Sequence, residues 1–215
     1  MAQVRTTTLK KRLDGGTNFR LSAQDRDFLR DLSRVRIIDA QDAKTHHYQG
    51  RKTAPERRLD KLVENGILSK HTLYIPSRGK ATAYTFSNNS VAQLFGGKMP
   101  VIGAKRNATH ELITSRIYFA EGRPESFKIE ADFSKDMKEF FSGRTVIGED
   151  RGCVPDACFM RNGQMVVVES DAGHYNKNQI NNKLAAWSGL QQVWGQPVKA
   201  SARVDTSATV KVHVF

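Results

Sequence analysis

Two acidic side chains stand on either side of a predicted β-hairpin in the second half of the chain. Asn162-Gly163 is the preferred sequence for a two-residue hairpin turn, and strand-favouring residues flank it on both sides. Because such a turn fixes the register, Asp156 is predicted to lie directly opposite Glu169, with Cβ atoms about 4.5–5.5 Å apart. Asp171, two residues beyond Glu169, is expected to point to the same face of the strand.

Directly opposed carboxylates destabilise a sheet unless something compensates their charge. A hard cation such as Mg²⁺ or Mn²⁺ would do so, because it takes carboxylate oxygens as ligands and keeps positions open for water. The alternative is that the strand ends fray into a solvated acidic edge. A metal site is favoured because Val166-Val167-Val168 is typical of a buried central strand, and charges at the end of such a strand are usually functional or paired.

Two predicted helices could bring further groups to these carboxylates. On a helix expected over about Asn176–Trp194, Lys183 could return over the acidic face and stabilise the charge of a phosphorane-like transition state or orient a nucleophile. On spacing alone, a surface lysine is equally compatible with this position. A second helix is predicted over Asn107–Phe119. Glu111 in its first turn could complete a metal site, or could simply favour the helix N-terminus through the helix dipole.

The first half of the chain predicts three helices. Ser22 begins the first, and a second covers Asp39 to about Tyr48. The third begins with a capping-box pattern at Thr53-Ala54-Pro55-Glu56 and ends at Asn65-Gly66. His46 and His47 are adjacent and therefore point in different directions on a helix, so ordinary structural histidines are favoured over a pair of metal ligands.

Two predicted strands, Leu73–Ile75 and Ala83–Phe86, follow the third helix and enclose a turn with two positive charges. Three helices and then a basic-tipped hairpin is the element order of a winged helix, which places its third helix in the major groove of DNA and its hairpin on the backbone. The alternative is a dimerisation or scaffold module with a basic exposed face. The predicted DNA contacts are Arg57, Arg58, Lys61, Arg78 and Lys80.

The charge distribution favours a nucleic-acid partner. The 215 residues include 34 Lys and Arg against 22 Asp and Glu, a net charge of +12. Residues 1–97 hold a net +9 of that excess, and Lys10-Lys11-Arg12 lies in an arm, residues 1–20, expected to be flexible and to contact phosphates. A merely solubilising tail is the alternative.

Composition also limits the class of protein. The sequence has no apolar run of the length that a membrane span needs and no apolar signal core at its start, so a cytoplasmic protein with no membrane partner is expected. Cys153 and Cys158 are too few for a disulfide framework or a zinc site on their own, and both are expected to be buried thiols. Gly96-Gly97 followed by Pro100 predicts a linker and a domain boundary after residue 97.

The motif order in the second half resembles the PD-(D/E)xK nuclease superfamily, on Pro155-Asp156 and Glu169-Ser170-Asp171. A more specific likeness is to the MobC-type plasmid mobilisation proteins of the replication-relaxation family. The matching residues there are a helix with a histidine, a Pro-Asp-Ala step, a Glu-x-Asp-x-Gly stretch and a lysine in the next helix, here Thr109-His110-Glu111, Pro155-Asp156-Ala157, Glu169-Ser170-Asp171-Ala172-Gly173 and Lys183. The superfamily's lysine position, two residues after the glutamate, holds Asp171, so Lys183, or Lys177 second, would supply the cation.

This resemblance implies an α/β fold, with an N-terminal winged helix over residues 21–97 and a restriction-endonuclease-like mixed sheet flanked by helices over residues 98–215. It implies a metal-dependent, site- and strand-specific nicking endonuclease acting on double-stranded plasmid DNA at a transfer origin. An accessory mobilisation protein is a further candidate partner. The alternatives are a hydrolytic restriction- or resolvase-like nuclease and a non-catalytic plasmid DNA-binding regulator.

The resemblance also assigns the site residues. Asp156, Glu169 and Glu111 would bind Mg²⁺ or Mn²⁺, with Asp171 as a further catalytic carboxylate and Lys183 as the catalytic cation. Because most relaxases use a tyrosine nucleophile, a tyrosine close to the acidic strand, Tyr175, is the candidate for that role. A metal-activated water would instead give plain hydrolysis.

Overall fold

The computed structural model describes residues 19–50, 54–75, 79–99, 105–143, 154–173, 175–196 and 210–215. The chain divides into two compact units, the first formed mostly by residues up to Ile102 and the second mostly by residues from Gly103 onward. Each unit combines helices with one sheet, so the fold class is mixed α/β. Most of the predicted basic arm, residues 1–18, lies outside the described residues. Among the helices that are described, none has the length and apolar character to cross a membrane.

The first unit contains the predicted helices and hairpin together with one extra strand. Its elements are α1 (Ala23–Val35), β1 (Ile38–Asp39), α2 (Ala40–His46), α3 (Pro55–Glu64), β2 (Leu68–Ile75), β3 (Gly79–Phe86) and α4 (Asn89–Leu94). The sheet has the order β1-β3-β2, with β1 antiparallel to β3. Both hairpin strands are longer than predicted, since β2 begins at Leu68 and β3 at Gly79.

The helix ends of this unit follow local side-chain chemistry in part. A capping box begins α1, since the side chain of Ser22 accepts from the backbone of Asp25 and the Asp25 carboxylate accepts from the backbone of Ser22. The predicted capping box of α3 is wrong: Ala54 is the N-cap, no side chain caps this end, and Pro55 fills the first helical position. Gly66 follows α3 with φ +67°, as predicted for its C-terminal end.

The second unit is built on a five-stranded mixed sheet. Its elements are α5 (Lys105–Ala120), β4 (Lys128–Ile129), a 3₁₀ turn (Glu130–Asp132), α6 (Lys135–Ser142), β5 (Ala157–Arg161), β6 (Gln164–Ser170), α7 (Lys177–Ala186), β7 (Gln191–Gln196) and β8 (Val210–Val214). The strand order is β4-β5-β6-β7-β8, antiparallel from β4 to β6 and parallel from β6 to β8.

The hairpin register follows the prediction. Arg161 pairs with Gln164 and Ala157 with Val168, and the turn residues Asn162 and Gly163 both have positive φ. Asp156 precedes β5 and donates its backbone N–H to the carbonyl of Val168 at 3.1 Å. The backbone therefore brings Asp156 to the level of the end of β6.

The helix predicted over Asn176–Trp194 is wrong in its second half. Helix α7 ends at Ala186, Gly189 turns the chain with φ +82°, and Gln191–Gln196 form strand β7. Pairing decides this outcome, because β7 lies parallel to β6 with Val193 beside Val168 and a fully buried Trp194 beside Glu169. The sheet hydrogen bonds and the burial of Trp194 outweigh local helix preference.

The two faces of the sheet are covered by different helices. On one face, α5 approaches so closely that a Cβ atom at Gly195 would lie 2.6 Å from Cγ2 of Ile113 and 2.8 Å from Cδ1 of Ile117. Thr114 of the same helix hydrogen-bonds Ser170 at 2.6 Å. On the other face, Trp187 at the end of α7 packs in a cluster with Val167 and Cys158. Since side chains alternate along β6, Glu169 faces α7.

Candidate active site

Glu169 lies near the carboxyl end of β6 and is fully buried. The indole Nε1 of Trp187 donates to its Oε1 at 2.9 Å, and Nζ of Lys183 donates to its Oε2 at 2.5 Å. Lys183 and Trp187 are one helical turn apart, so both side chains reach the same carboxylate. The chain therefore compensates a buried negative charge with one cation and one neutral donor.

Lys183 reaches the carboxylate from α7. The helix begins with a capping box between Asn176 and Gln179, which fixes where its first turn starts. The Lys183 side chain is 18% exposed, and its Nζ lies 5.0 Å from the centre of the Tyr175 ring. This distance is within cation–π range, so the ammonium contacts both Glu169 and Tyr175.

Asp156 joins the site from the start of β5. Its Oδ2 accepts a hydrogen bond from the backbone N–H of Ser170 at 2.6 Å and lies 3.1 Å from Nε2 of His110. Ser170 directly follows Glu169, so the two carboxylates hold adjacent positions at one end of β6. Parallel β7 ends at the same edge of the sheet, which is where open α/β sheets usually bind ligands.

The surroundings of the two acids shift their pKa values in opposite directions. Burial raises the pKa of Glu169 to about 7; Lys183 acts against this rise, and the nearby charge of Asp156 adds to it. Burial alone would also raise the pKa of Asp156, but the hydrogen bond and charge of His110, followed by the charge of Lys183, bring it below its usual value. The site therefore holds an ionised Asp156 beside a Glu169 able to exchange a proton near neutral pH.

The acidic neighbours raise the pKa values of the two basic groups, His110 and Lys183. Burial alone would lower the pKa of His110, but the hydrogen bond and charge of Asp156 outweigh it and raise that pKa. Burial alone would likewise lower the pKa of Lys183, but the charges of Glu169 and Asp156 raise it. Lys183 is thus held as an ammonium, a fixed positive charge beside two carboxylates.

Asp171 binds backbone groups of the turn that follows β6. It is buried, and its Oδ1 accepts from the backbone N–H groups of Gly173 at 2.7 Å and Tyr175 at 3.5 Å. These bonds stabilise the turn between β6 and α7. His174, which precedes Tyr175 in the sequence, lies outside the described residues.

Burial and the two carboxylates raise the pKa of Tyr175 to about 12. Its phenol is consequently protonated at neutral pH in this arrangement. A nucleophilic role for Tyr175 would need another group to remove that proton.

His110, and not Glu111, is the residue of α5 seen beside Asp156. Residues next to each other on a helix point about 100° apart, so only one of the two can face a given carboxylate. A metal site needs ligand atoms that lie close together, and among the described residues one group brings three such atoms within 4.8 Å of one another. That group is Asp27, Asp31 and His47, and not Asp156, Glu169 and Glu111. That second group lies in the first unit and could hold a metal ion.

Gln196 ends β7 on the face that carries Glu169, since Trp194, two residues earlier on the same strand, pairs with Glu169. Its side chain is fully buried. Within the residues that the structure covers, neither Nε2 nor Oε1 of this amide has a hydrogen-bond partner. Sequence alone did not single out this residue, because nothing local marks the end of β7.

The predicted DNA contacts separate into two groups. Arg57, Lys61 and Lys80 are exposed. Arg58 is instead committed inside the first unit: its Nη2 lies 2.5 Å from Oδ2 of fully buried Asp25, and its guanidinium packs 4.5 Å from the centre of the Phe19 ring. The buried carboxylate requires this counter-charge, which corrects the prediction that Arg58 contacts phosphate. Arg78 lies outside the described residues.

Cys158, the cysteine that the structure describes, is a buried packing residue. Cys158 is buried and free, as predicted, and burial raises the pKa of its thiol to about 11. It is therefore a packing residue, with a thiol far from ionised at neutral pH. Cys153 lies outside the described residues.

Comparison with known proteins adds no relative. No protein-family model, curated protein or solved structure matches this chain. The likeness to the replication-relaxation family accordingly stays a prediction that rests on the residues themselves.

Proposed function

We propose that this protein is a metal-dependent DNA endonuclease of the relaxase type, which nicks one strand of double-stranded plasmid DNA at a transfer origin. The observation that carries the proposal is the meeting of Asp156, Glu169 and Lys183 at one edge of the mixed sheet, with Nζ of Lys183 2.5 Å from Glu169. Two carboxylates and a cation are the side chains expected of a phosphodiester-cleaving nuclease, and here they come from three separate elements. We further propose that the second unit is restriction-endonuclease-like.

The donor chemistry of the site suits a hard divalent cation. Asp156 and Glu169 offer carboxylate oxygens, the ligands that Mg²⁺ and Mn²⁺ prefer. Each carboxylate lies against a basic group, Asp156 at 3.1 Å from Nε2 of His110 and Glu169 at 2.5 Å from Nζ of Lys183. A bound ion would supply an activated water and would neutralise charge on the scissile phosphate. Glu111 and Asp171 remain the additional predicted carboxylates of this site.

The chain's own residues perform the other tasks in this proposal. Lys183 presents a permanent ammonium, which stabilises the negative charge that accumulates on the phosphate in the transition state. His110 hydrogen-bonds Asp156 and fixes the orientation of its carboxylate. Glu169, with its pKa of about 7, accepts a proton at neutral pH.

We propose a winged helix for the first unit, with DNA as its ligand. Helix α3 would be the recognition helix, with Arg57 and Lys61 on its exposed side, and the β2–β3 hairpin would be the wing that carries Arg78 and Lys80. The order α1-β1-α2-α3-β2-β3 and the exposure of Arg57, Lys61 and Lys80 support the assignment. An accessory mobilisation protein would be a further partner at the transfer origin.

Nicking of supercoiled plasmid tests the catalytic part. We expect open-circular product with Mg²⁺ or Mn²⁺, none with EDTA, and none from Asp156→Asn. Glu125→Gln, an exposed acid of the same unit, is the control and should cleave normally. Cleavage by Asp156→Asn at the wild-type rate would refute this active site.

A hydrolytic nuclease on the same residues is the second candidate, and the raised pKa of Tyr175 favours it, since a protonated phenol is a poor nucleophile. Denaturing gels of the cleaved DNA separate the two chemistries. Protein attached to the nicked strand, absent in Tyr175→Phe, indicates a covalent tyrosine mechanism. Free DNA ends from both proteins indicate hydrolysis.

A non-catalytic plasmid regulator is the third candidate. It is favoured by the observation that both Glu169 oxygens are already bonded, one to Trp187 and one to Lys183. Calorimetric titration with Mn²⁺ discriminates, because binding that Glu169→Gln abolishes supports the nuclease. Lack of Mn²⁺ binding together with retained DNA binding supports the regulator.

A further inference from the structure

A second cluster of ionisable groups lies in the first unit. Asp27 and Asp31 are one turn apart on α1 and therefore share a face, and His47 directly follows α2. Nδ1 of His47 lies 3.0 Å from Oδ2 of Asp27, and its Nε2 lies 3.5 Å from Oδ2 of Asp31. One ligand atom from each of the three residues lies within 4.8 Å of the others.

Packing holds this cluster in place. The His47 ring has no solvent exposure, and Phe28 packs against it edge-on with ring centres 5.4 Å apart. Asp31 is buried, whereas the Asp27 side chain is 30% exposed and gives the cluster an opening to solvent. Arg30 pairs with Asp27 at 2.6 Å but is itself 60% exposed, so it can leave at little cost.

We propose that Asp27, Asp31 and His47 bind a divalent transition-metal ion, with Zn²⁺ the best match. One imidazole nitrogen and two carboxylate oxygens are a common zinc donor set, whereas Mg²⁺ and Ca²⁺ prefer oxygen ligands alone. Only one nitrogen of His47 binds the ion.

The ion would join α1 to the end of α2. Tyr48, the residue after His47, donates from its hydroxyl to Asp25 at 3.1 Å, and Asp25 also holds Arg58 of α3. A metal here would consequently strengthen the contacts of all three helices. The site is separate in the chain from Asp156 and Glu169, and the inference does not rest on the proposed nuclease activity.

The test uses the full chain in the Asp156→Asn, Glu169→Gln background, stripped with EDTA and titrated with Zn²⁺ alone. We expect binding of one ion and a rise in Tm of roughly 5 °C or more once Zn²⁺ reaches about 100 times its Kd. Co²⁺ should give visible absorption bands, which a folded protein without a transition-metal site does not show.

His47→Gln and Asp31→Asn should lose both the Tm rise and the Co²⁺ bands, while His46→Gln, at the adjacent histidine, should keep them. Asp27→Asn, at the most exposed of the three ligands, serves as a second variant should His47→Gln fail to fold, and it should weaken Zn²⁺ binding by at least tenfold. No Zn²⁺-dependent rise in the starting protein would overturn the proposal. A rise that persists in His47→Gln, or in Asp27→Asn at unchanged affinity, would overturn it as well.

Discussion

Nζ of Lys183 lies 2.5 Å from Oε2 of Glu169 inside the second unit, and the lysine comes from helix α7 instead of from the strand that carries the glutamate. A glutamate this deeply buried would be costly without a compensating charge. Helix α7 therefore supplies the compensating cation, because the position two residues after Glu169 holds Asp171 and not a lysine. Stability and the proposed chemistry both depend on this one ion pair.

Replacing Lys183 with Met should destabilise the protein in a pH-dependent way. Without the ammonium, the pKa of Glu169 should rise above its value of about 7, because the charge and hydrogen bond of Lys183 no longer lower it. A pKa raised above the unfolded value means that the folded state holds the extra proton, so stability falls as pH rises through that range. We expect a loss of about 2–4 kcal/mol at pH 8 and much less at pH 5. Urea denaturation at both pH values measures it.

Lys177→Met is the matched control, since Lys177 is an exposed lysine on the same helix. Its effect should stay within about 0.5 kcal/mol at either pH. An equal loss at pH 5 and pH 8 in Lys183→Met would contradict the assigned role of Glu169 protonation.

Asp156→Asn and Glu169→Gln should abolish nicking while leaving DNA affinity within about twofold. The reason is that neither carboxylate belongs to the basic surface of the first unit that we propose to bind DNA. Electrophoretic mobility shifts with a plasmid fragment give the affinity, and conversion of supercoiled DNA gives the activity. Loss of affinity in parallel with activity would instead indicate that these acids support the fold or the DNA contact.

The pKa of His110 should fall when Asp156 is replaced by Asn. The carboxylate raises this pKa against the effect of burial, so without it burial should dominate and bring the value below the usual 6.5. The stability from this pair is fully present below the unfolded pKa and is lost as pH rises through the folded one. NMR titration of the histidine side chains measures the change.

His71 provides an internal reference in the same spectra. Burial lowers its pKa, and it lies in the first unit beside Thr85 at 2.9 Å. Its titration should be the same with and without Asp156. If the pKa of His110 does not move, Asp156 is not its partner in solution.

Arg57 and Arg58 are adjacent in sequence, but substitution of Arg58 should reduce stability, whereas substitution of Arg57 should weaken DNA binding. Arg58→Met leaves buried Asp25 without its counter-charge and should cost about 3 kcal/mol at pH 7. Arg58 helps to lower the pKa of Asp25 against burial, so this loss should shrink as pH falls through the range where the carboxylate protonates. Arg57→Met should leave stability unchanged within about 0.5 kcal/mol and weaken DNA binding, with a reduced salt dependence.

Fluorescence anisotropy over a salt series, together with urea denaturation, separates these effects. A large stability loss in Arg57→Met would contradict its placement at the surface. Unchanged stability in Arg58→Met would contradict its pairing with Asp25.

Gln196→Met should stabilise the protein. A buried amide without a hydrogen-bond partner costs roughly 1–3 kcal/mol, and Met has a similar length without the polar atoms. Gln192→Met on the same strand is the control, because Gln192 donates to the carbonyl of Leu184 at 3.3 Å and accepts from Trp194 at 3.4 Å. That variant should be destabilised. The two Tm changes should therefore have opposite signs, and a fall in both would show that the Gln196 amide is satisfied.

Local chemistry accounts for the parts that sequence predicted well. The Asn162-Gly163 turn alone determines the hairpin register, so the alignment of Asp156 with the end of β6 could be read directly. The capping residue Ser22 fixed the start of α1 in the same way. Lys183 reaches the acidic face as the sequence predicted, because α7 covers the face of the sheet to which Glu169 points.

The features that the sequence did not predict depend on contacts between segments far apart in the chain. Gln191–Gln196 is a strand because β6 lies beside it, and no local pattern states this. Arg58 turns inward because α1 buries Asp25. His47 meets Asp27 and Asp31 only after α2 has folded against α1, a separation of about 20 residues.

The absence of a side chain at Gly195 has a consequence for the groups at the sheet edge. It allows α5 to settle close to β7, and the same helix carries His110 against Asp156. Even a methyl group at position 195 would push Ile113 and Ile117 outward and shift the histidine with them. Gly195, which lies outside the proposed active site, thus governs the distance between His110 and Asp156, and substitution at this position should change the pKa of His110.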